Sequence, residues 1–218
     1  TEETRPRVVA LLYLMLLIGM IGSALIFAAL LKDFGYVRLI QVIQSAAVIT
    51  LVLNVVAMLK QEARRPDLTD HARARPTFGK AWRDFIALPQ ARGLLWALGL
   101  GTMGFTMQDI LLEPYGAQVL GLSVSETTLL TAMFAGGMVL ALILTSRRLG
   151  KGSDPIRVAS TGILIGIAAF AAVIFSAPLQ APALFQIGAA MIGLGNGLFA
   201  VGMLTAAMEF GGDKMAGL

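Results

Sequence analysis

In 218 residues the chain carries 57% hydrophobic and only 14% charged residues, with a mean hydropathy of +0.79, whereas soluble proteins average about a quarter charged. It reads as an integral membrane protein. There is no cysteine, and the single histidine, His71, lies in a charged stretch, which excludes disulfides, thiolate metal sites and multi-histidine haem or zinc centres built within the chain.

Six apolar stretches are long enough to cross a bilayer core of about 30 Å, which takes roughly 20 helical residues. They fall near 8–31, 37–59, 93–120, 126–146, 156–177 and 182–208. The fold class expected is therefore an all-α membrane protein with six transmembrane helices. The third stretch is the least regular, because Pro114 removes a helical hydrogen bond, so a kink or break is expected there. Connectors at 32–36, 121–125 and 178–181 are short, whereas 60–92 and 147–155 are polar and basic. Of the 17 Lys and Arg residues, all but Lys32 and Arg38 fall on the side of the long basic connectors and the chain ends. By the positive-inside rule that side is cytoplasmic, and both ends of the segment are too. The net charge of +4 is thus a matter of topology, and no nucleic-acid partner is expected. At the opposite side, Ser123 followed three residues later by Glu126 has the form of a capping box opening the fourth span.

Residues 60–92 divide the chain into 1–59, with two helices, and 93–218, with four. Within this linker Phe78, Trp82, Phe85 and Ile86 recur at i, i+4, i+7 and i+8, with Lys80, Arg83 and Asp84 elsewhere on the wheel. A surface helix at the cytoplasmic interface and a linker helix packed on protein both fit that pattern. The opening Thr1-Glu-Glu-Thr-Arg-Pro-Arg7 resembles an inter-helix loop, and the last residues lead toward a further apolar segment, so a middle portion of a longer protein is expected.

The third span holds the residues that need explaining. Gln108, Asp109 and Glu113 interrupt an apolar helix, and a carboxylate in hydrocarbon costs about 2.5–3.5 kcal/mol on insertion scales unless it faces protein, a cavity or a ligand. Asp109 and Glu113 are four apart and share one helical face, where two like charges disfavour each other. No phosphate-binding loop, Ser-His-Asp set or zinc-type spacing is present, and Gly193-x-Gly195 lies inside an apolar span rather than after a strand. No enzymatic activity is expected. Gly193 with Gly197 and Gly162 with Gly166 have small-xxx-small spacing, which suits close helix packing or a flat face for a ligand.

Several runs carry a family resemblance: Thr4-Arg-Pro-Arg-Val-Val-Ala10, Gly104-Phe-Thr-Met-Gln-Asp-Ile-Leu-Leu-Glu-Pro-Tyr-Gly116 with Val119-Leu-Gly-Leu122, and Gly193-Leu-Gly-Asn-Gly-Leu198. With the two basic loops, they resemble the PucC/LhaA-type bacteriochlorophyll delivery family of the major facilitator superfamily. The resemblance implies a twelve-helix bundle of which these spans are the fifth to the tenth, with 1–59 closing one six-helix half and 93–218 opening the other. It also implies a place in the inner membrane of photosynthetic bacteria, cytoplasmic or intracytoplasmic, and a role in light-harvesting complex assembly. Bacteriochlorophyll, carotenoid and lipids are the implied bound groups. Antenna α/β polypeptides, a reaction centre-antenna complex and pigment-synthesis enzymes are the implied partners.

Mg²⁺ in such a pigment prefers hard oxygen donors. Glu113 is the leading candidate ligand, with Asp109, Gln108, Tyr115 and Asn196 as further candidate pigment contacts. Two other readings stay open. The polar side chains of the third span are also suited to hydrogen bonds that hold the helix in place, and Asp109, Glu113 and Glu209 are also what a relay in a proton-coupled small-molecule transporter would need.

Overall fold

In hydrocarbon an apolar stretch of about 20 residues satisfies all its backbone donors and acceptors only as a helix. The computed structural model describes residues 5–59, 77–88 and 90–215, and among them it contains seven helices and no strand. They are α1 (Arg5–Leu30), α2 (Tyr36–Met58), α3 (Phe78–Ala87), α4 (Ala91–Val119), α5 (Val124–Leu149), α6 (Pro155–Ser176) and α7 (Pro182–Met215). Five of these helices contain spans long and apolar enough to cross a membrane: Leu11–Leu30, Tyr36–Met58, Val124–Leu149, Pro155–Ser176 and Pro182–Glu209. The protein is a multi-pass, all-helical membrane protein. The sixth expected span, α4, has the length at 29 residues, but with Gln108, Asp109 and Glu113 among its glycines and threonines it is not one of these five. The linker residues 60–76, including His71, lie outside the described residues.

Pro114 does not break α4, which runs without interruption from Ala91 to Val119. Leu112 and Gly116 are buried on either side of the proline, so core contacts hold both flanking turns in register. The helix ends where Leu122 N–H bonds the Gly116 carbonyl at 3.0 Å, across Gly121 at φ +67. That positive φ is the left-handed conformation that favours glycine. α5 then opens on the expected capping box: the Glu126 N–H donates to Ser123 Oγ, and the Ser123 N–H donates to Glu126 Oε2 at 2.8 Å. α6 opens on Asp154, which accepts from Ile156 N–H at 2.8 Å, with Pro155 in the first turn.

The helices alternate in direction, and contacts between residues at equal depth show it. Ser125 Oγ of α5 donates to the Ala28 carbonyl of α1 at 2.7 Å, Phe105 of α4 lies against Gly166 of α6, and Gly202 of α7 lies against Pro155 of α6. The short connectors therefore gather at one end of the bundle and the basic ones at the other. At the short-connector end, Arg38 is engaged locally by Asp33, 3.5 Å from its carboxylate and 3.2 Å from its carbonyl.

α7 is the axis of the bundle, with α5 and α6 packed along it and α1 packed on α5. Glycines allow the approach. A side-chain carbon at Gly193 would collide with the Phe134 carbonyl, one at Gly137 with the Ala190 carbonyl, and ones at Gly162 and Gly195 with each other's carbonyl oxygens. The glycine pairs are thus spent on helix packing, not on a flat ligand surface. Leu17, Leu130, Phe134, Phe185, Ile192 and Phe199 fill the core beside these contacts. The α1–α5 contact joins the two helix groups on either side of the linker, whereas α2 has no buried residue.

Gly193→Ala is expected to destabilise the protein, since forcing a methyl into packed backbone costs about 1–3 kcal/mol against the ~1 kcal/mol that alanine gains in helix propensity. Gly136→Ala, which faces open space, is expected to be neutral or stabilising. Thermal unfolding in detergent compares the two; equal melting temperatures would contradict the close α5–α7 approach.

Candidate functional site

The polar residues of α4 meet α1 and α5 in a small cavity lined by Met20, Gln108, Asp109, Leu112, Glu113, Leu130, Thr131 and Phe134. Helical spacing explains the convergence on α4, since 108, 109, 112 and 113 lie at i, i+1, i+4 and i+5 on adjoining strips of its surface. Gln108 is buried, with 6% exposure, and its Nε2 donates to Asp109 Oδ1. Glu113 Oε1 accepts from Thr131 Oγ1 of α5 at 3.2 Å. Both carboxylates are exposed at the cavity mouth. The two carboxylates of one face are thus separately engaged, one by a neighbouring amide and one by a hydroxyl on another helix.

Thr131 lies eight residues into α5 from its cap at Ser123, so the site is about 12 Å below the short-connector end at 1.5 Å per residue. Against a bilayer core of about 30 Å that depth lies well inside the span. The cavity measures about 100 Å³, room for roughly three water molecules at about 30 Å³ each. Pockets that enclose even a drug-sized ligand run to about 300–1,000 Å³. The oxygen donors fit a hard cation, a proton or water, whereas a macrocycle fits only outside the cavity. There the exposed Met103, Met107 and Ile110 of α4 provide an apolar face beside the carboxylates.

The remaining candidates lie elsewhere. Tyr115 is half-buried against Phe185 of α7, with ring centroids 5.8 Å apart, on the core side of α4 and away from the cavity. Asn196 shares the α7 face of Ile192, Phe199 and Met203; it is partly exposed, and no side chain hydrogen-bonds it among the described residues. Glu209 lines a different cavity of about 580 Å³ at the basic end, with Gln90 and Asp154. Asp109, Glu113 and Glu209 therefore share no chamber. Among the described residues no three His, Asp or Glu side chains converge as a metal site.

Thr131 and Met20 complete the site and were not picked out by sequence reasoning, because each comes from a helix remote in the chain. A hydroxyl within an apolar span was the available signal for Thr131.

Fold and site together define a multi-pass helical membrane protein with a water-sized polar cavity where three of its helices meet. The chain matches the family of the PUCC protein over residues 1–218 and belongs to it. "Protein PucC" of Rhodovulum sulfidophilum is 48% identical over 225 residues, an alignment covering 100% of this chain and 48% of that protein. "Protein PucC" of Cereibacter sphaeroides is 41% identical, covering 100% of this chain and 47% of that protein. The "Bacteriochlorophyll synthase 44.5 kDa chain" of Rhodobacter capsulatus is 28% identical, covering 98% and 50%. The chain spans about half the length of the curated relatives it matches. No solved structure matches it.

If Thr131 ties Glu113 to α5, Thr131→Val lowers stability by about 1 kcal/mol, the usual net worth of a hydrogen bond. In a double-mutant cycle with Glu113→Ala, measured by thermal unfolding, the two losses are expected to be less than additive. Simple additivity would place the two side chains apart.

Proposed function

We propose that the protein is a non-enzymatic assembly factor for bacterial light-harvesting complexes, which binds bacteriochlorophyll and delivers it to antenna polypeptides in the membrane. The observation that carries this reading is membership of the PUCC family over the whole chain. A relative whose printed name refers to bacteriochlorophyll points the same way. On this reading the membrane is the bacterial inner or intracytoplasmic photosynthetic membrane, and the basic end of the bundle, with both ends of the segment, faces the cytoplasm. On the same reading the helices form part of a major facilitator bundle.

Bacteriochlorophyll supplies a Mg²⁺ with axial coordination sites and a flat apolar ring. Glu113 offers an exposed carboxylate oxygen to such a cation, and its other contact, Thr131, fixes its direction. Gln108 holds Asp109 beside it, and Met103, Met107 and Ile110 offer soft apolar contact to a ring or to a carotenoid. Antenna α/β polypeptides or a reaction centre-antenna complex would meet the same lipid-facing side of α4, and pigment-synthesis enzymes the basic end. Lipids complete the surround.

A second reading, a proton-coupled small-molecule transporter, draws on the size of the cavity, which suits water and protons. Asp109 and Glu113 would carry the proton, with Glu209 left to a separate step.

Purification in mild detergent from pigmented cells separates the two. The assembly factor carries long-wavelength pigment absorbance and antenna polypeptides, and Glu113→Gln loses pigment several-fold at unchanged protein yield. A colourless wild-type preparation would overturn the first reading. The transporter instead shows substrate-dependent proton flux in vesicles, lost in Glu113→Gln.

A further inference from the structure

Apolar and charged residues segregate sharply on α3. Phe78, Trp82, Phe85 and Ile86 share one face, while Lys80 and Arg83 fall on the opposite arc. The aromatic rings form a ladder, Phe78 on Trp82 and Trp82 on Phe85, each pair stacked with centroids 6.2 Å apart. Phe78 is 82% exposed and Trp82 46% exposed, whereas Phe85 and Ile86 are half-buried. Ten residues span about 15 Å, half a bilayer core, so α3 does not cross the membrane.

Its one substantial helix neighbour among the described residues is α4. The connection is short: Leu88 N–H bonds the Phe85 carbonyl at 3.1 Å, and Ala91 N–H bonds the Leu88 carbonyl at 3.1 Å. α3 is therefore held at the level where α4 enters the hydrocarbon, at the basic end of the bundle. From there the exposed Trp96 and Leu100 continue the apolar surface along α4. Lys80 and Arg83 on the polar arc, with the exposed Arg92 in the first turn of α4, supply positive charge at the same end of the bundle.

We infer that α3 lies in the plane of the membrane interface, its Phe78–Trp82 edge inserted at the headgroup–acyl boundary and Lys80, Arg83 and Arg92 against the phosphates of anionic lipid. A bilayer fits better than a protein partner, because the apolar edge is continuous with the exposed apolar surface of a helix long enough to span, and its cationic flank complements anionic headgroups. Amphipathic helices of this composition bind through apolar burial and attraction to anionic lipid together. α3 thereby anchors the linker of which it forms part.

The test uses the protein reconstituted in phosphatidylglycerol-containing vesicles, with the Trp82 signal taken as the difference between wild type and Trp82→Phe. That signal is expected to be strongly quenched by lipids brominated near the headgroup, little quenched by aqueous iodide, and shifted to the red when phosphatidylcholine replaces phosphatidylglycerol or in Lys80→Glu/Arg83→Glu. Strong iodide quenching without bromolipid quenching would overturn the proposal, as would a Trp82 shielded from both, which would mean that protein covers the ladder.

Discussion

Backbone against backbone along α7 is the contact on which the rest of the bundle depends. Between helices in lipid there is little hydrophobic driving force, and association rests on close packing and a few polar contacts. Gly193 and Gly197 bring α5 onto one side of α7, and Gly195 and Gly202 bring α6 onto another. Each pairing leaves no room for even a methyl group. A helix trio set this tightly fixes where every other element sits, since interiors so packed do not deform continuously.

α4 is attached by a different device. Its Gly101 receives the ring of Phe199, its Phe105 enters the notch at Gly166, and Tyr115 and Gly116 meet Phe185. Ring-in-notch contacts hold one face of the helix and leave the opposite face, with Met103, Met107 and Ile110, exposed. Asp109 and Glu113 fall at the seam between those faces, where α1 and α5 close over them in part. That placement explains how two carboxylates persist in an apolar span: each has a hydrogen-bond donor and an open side. The resulting site suits edge contact with something held outside the protein, and excludes enclosure of anything larger than a few waters.

Much of this was legible in the residues themselves. The Ser123–Glu126 box is local chemistry and formed as its spacing requires, and the uneven distribution of Lys and Arg matched the alternation of the helices. Glycine spacing announced close packing, although not which helix each pair would meet. Other features depend on tertiary contacts that no local pattern encodes. Pro114 looked like a breaker, yet Leu112 and Gly116 pin both flanking turns to the core. Tyr115 was a candidate pigment contact, yet its ring packs on Phe185. The pairing of Thr131 with Glu113 spans 18 residues and two helices, beyond the reach of any helical period.

The central claim is that the Asp109–Glu113 seam of α4 is where pigment is held during antenna assembly. Cryo-electron microscopy of the complex isolated from photosynthetically grown cells tests it most directly. The account predicts macrocycle density on the outside of α4, against Met103, Met107 and Ile110 and within coordination distance of Glu113. Density for the pigment on another face, with the seam occupied by lipid or water alone, would contradict it.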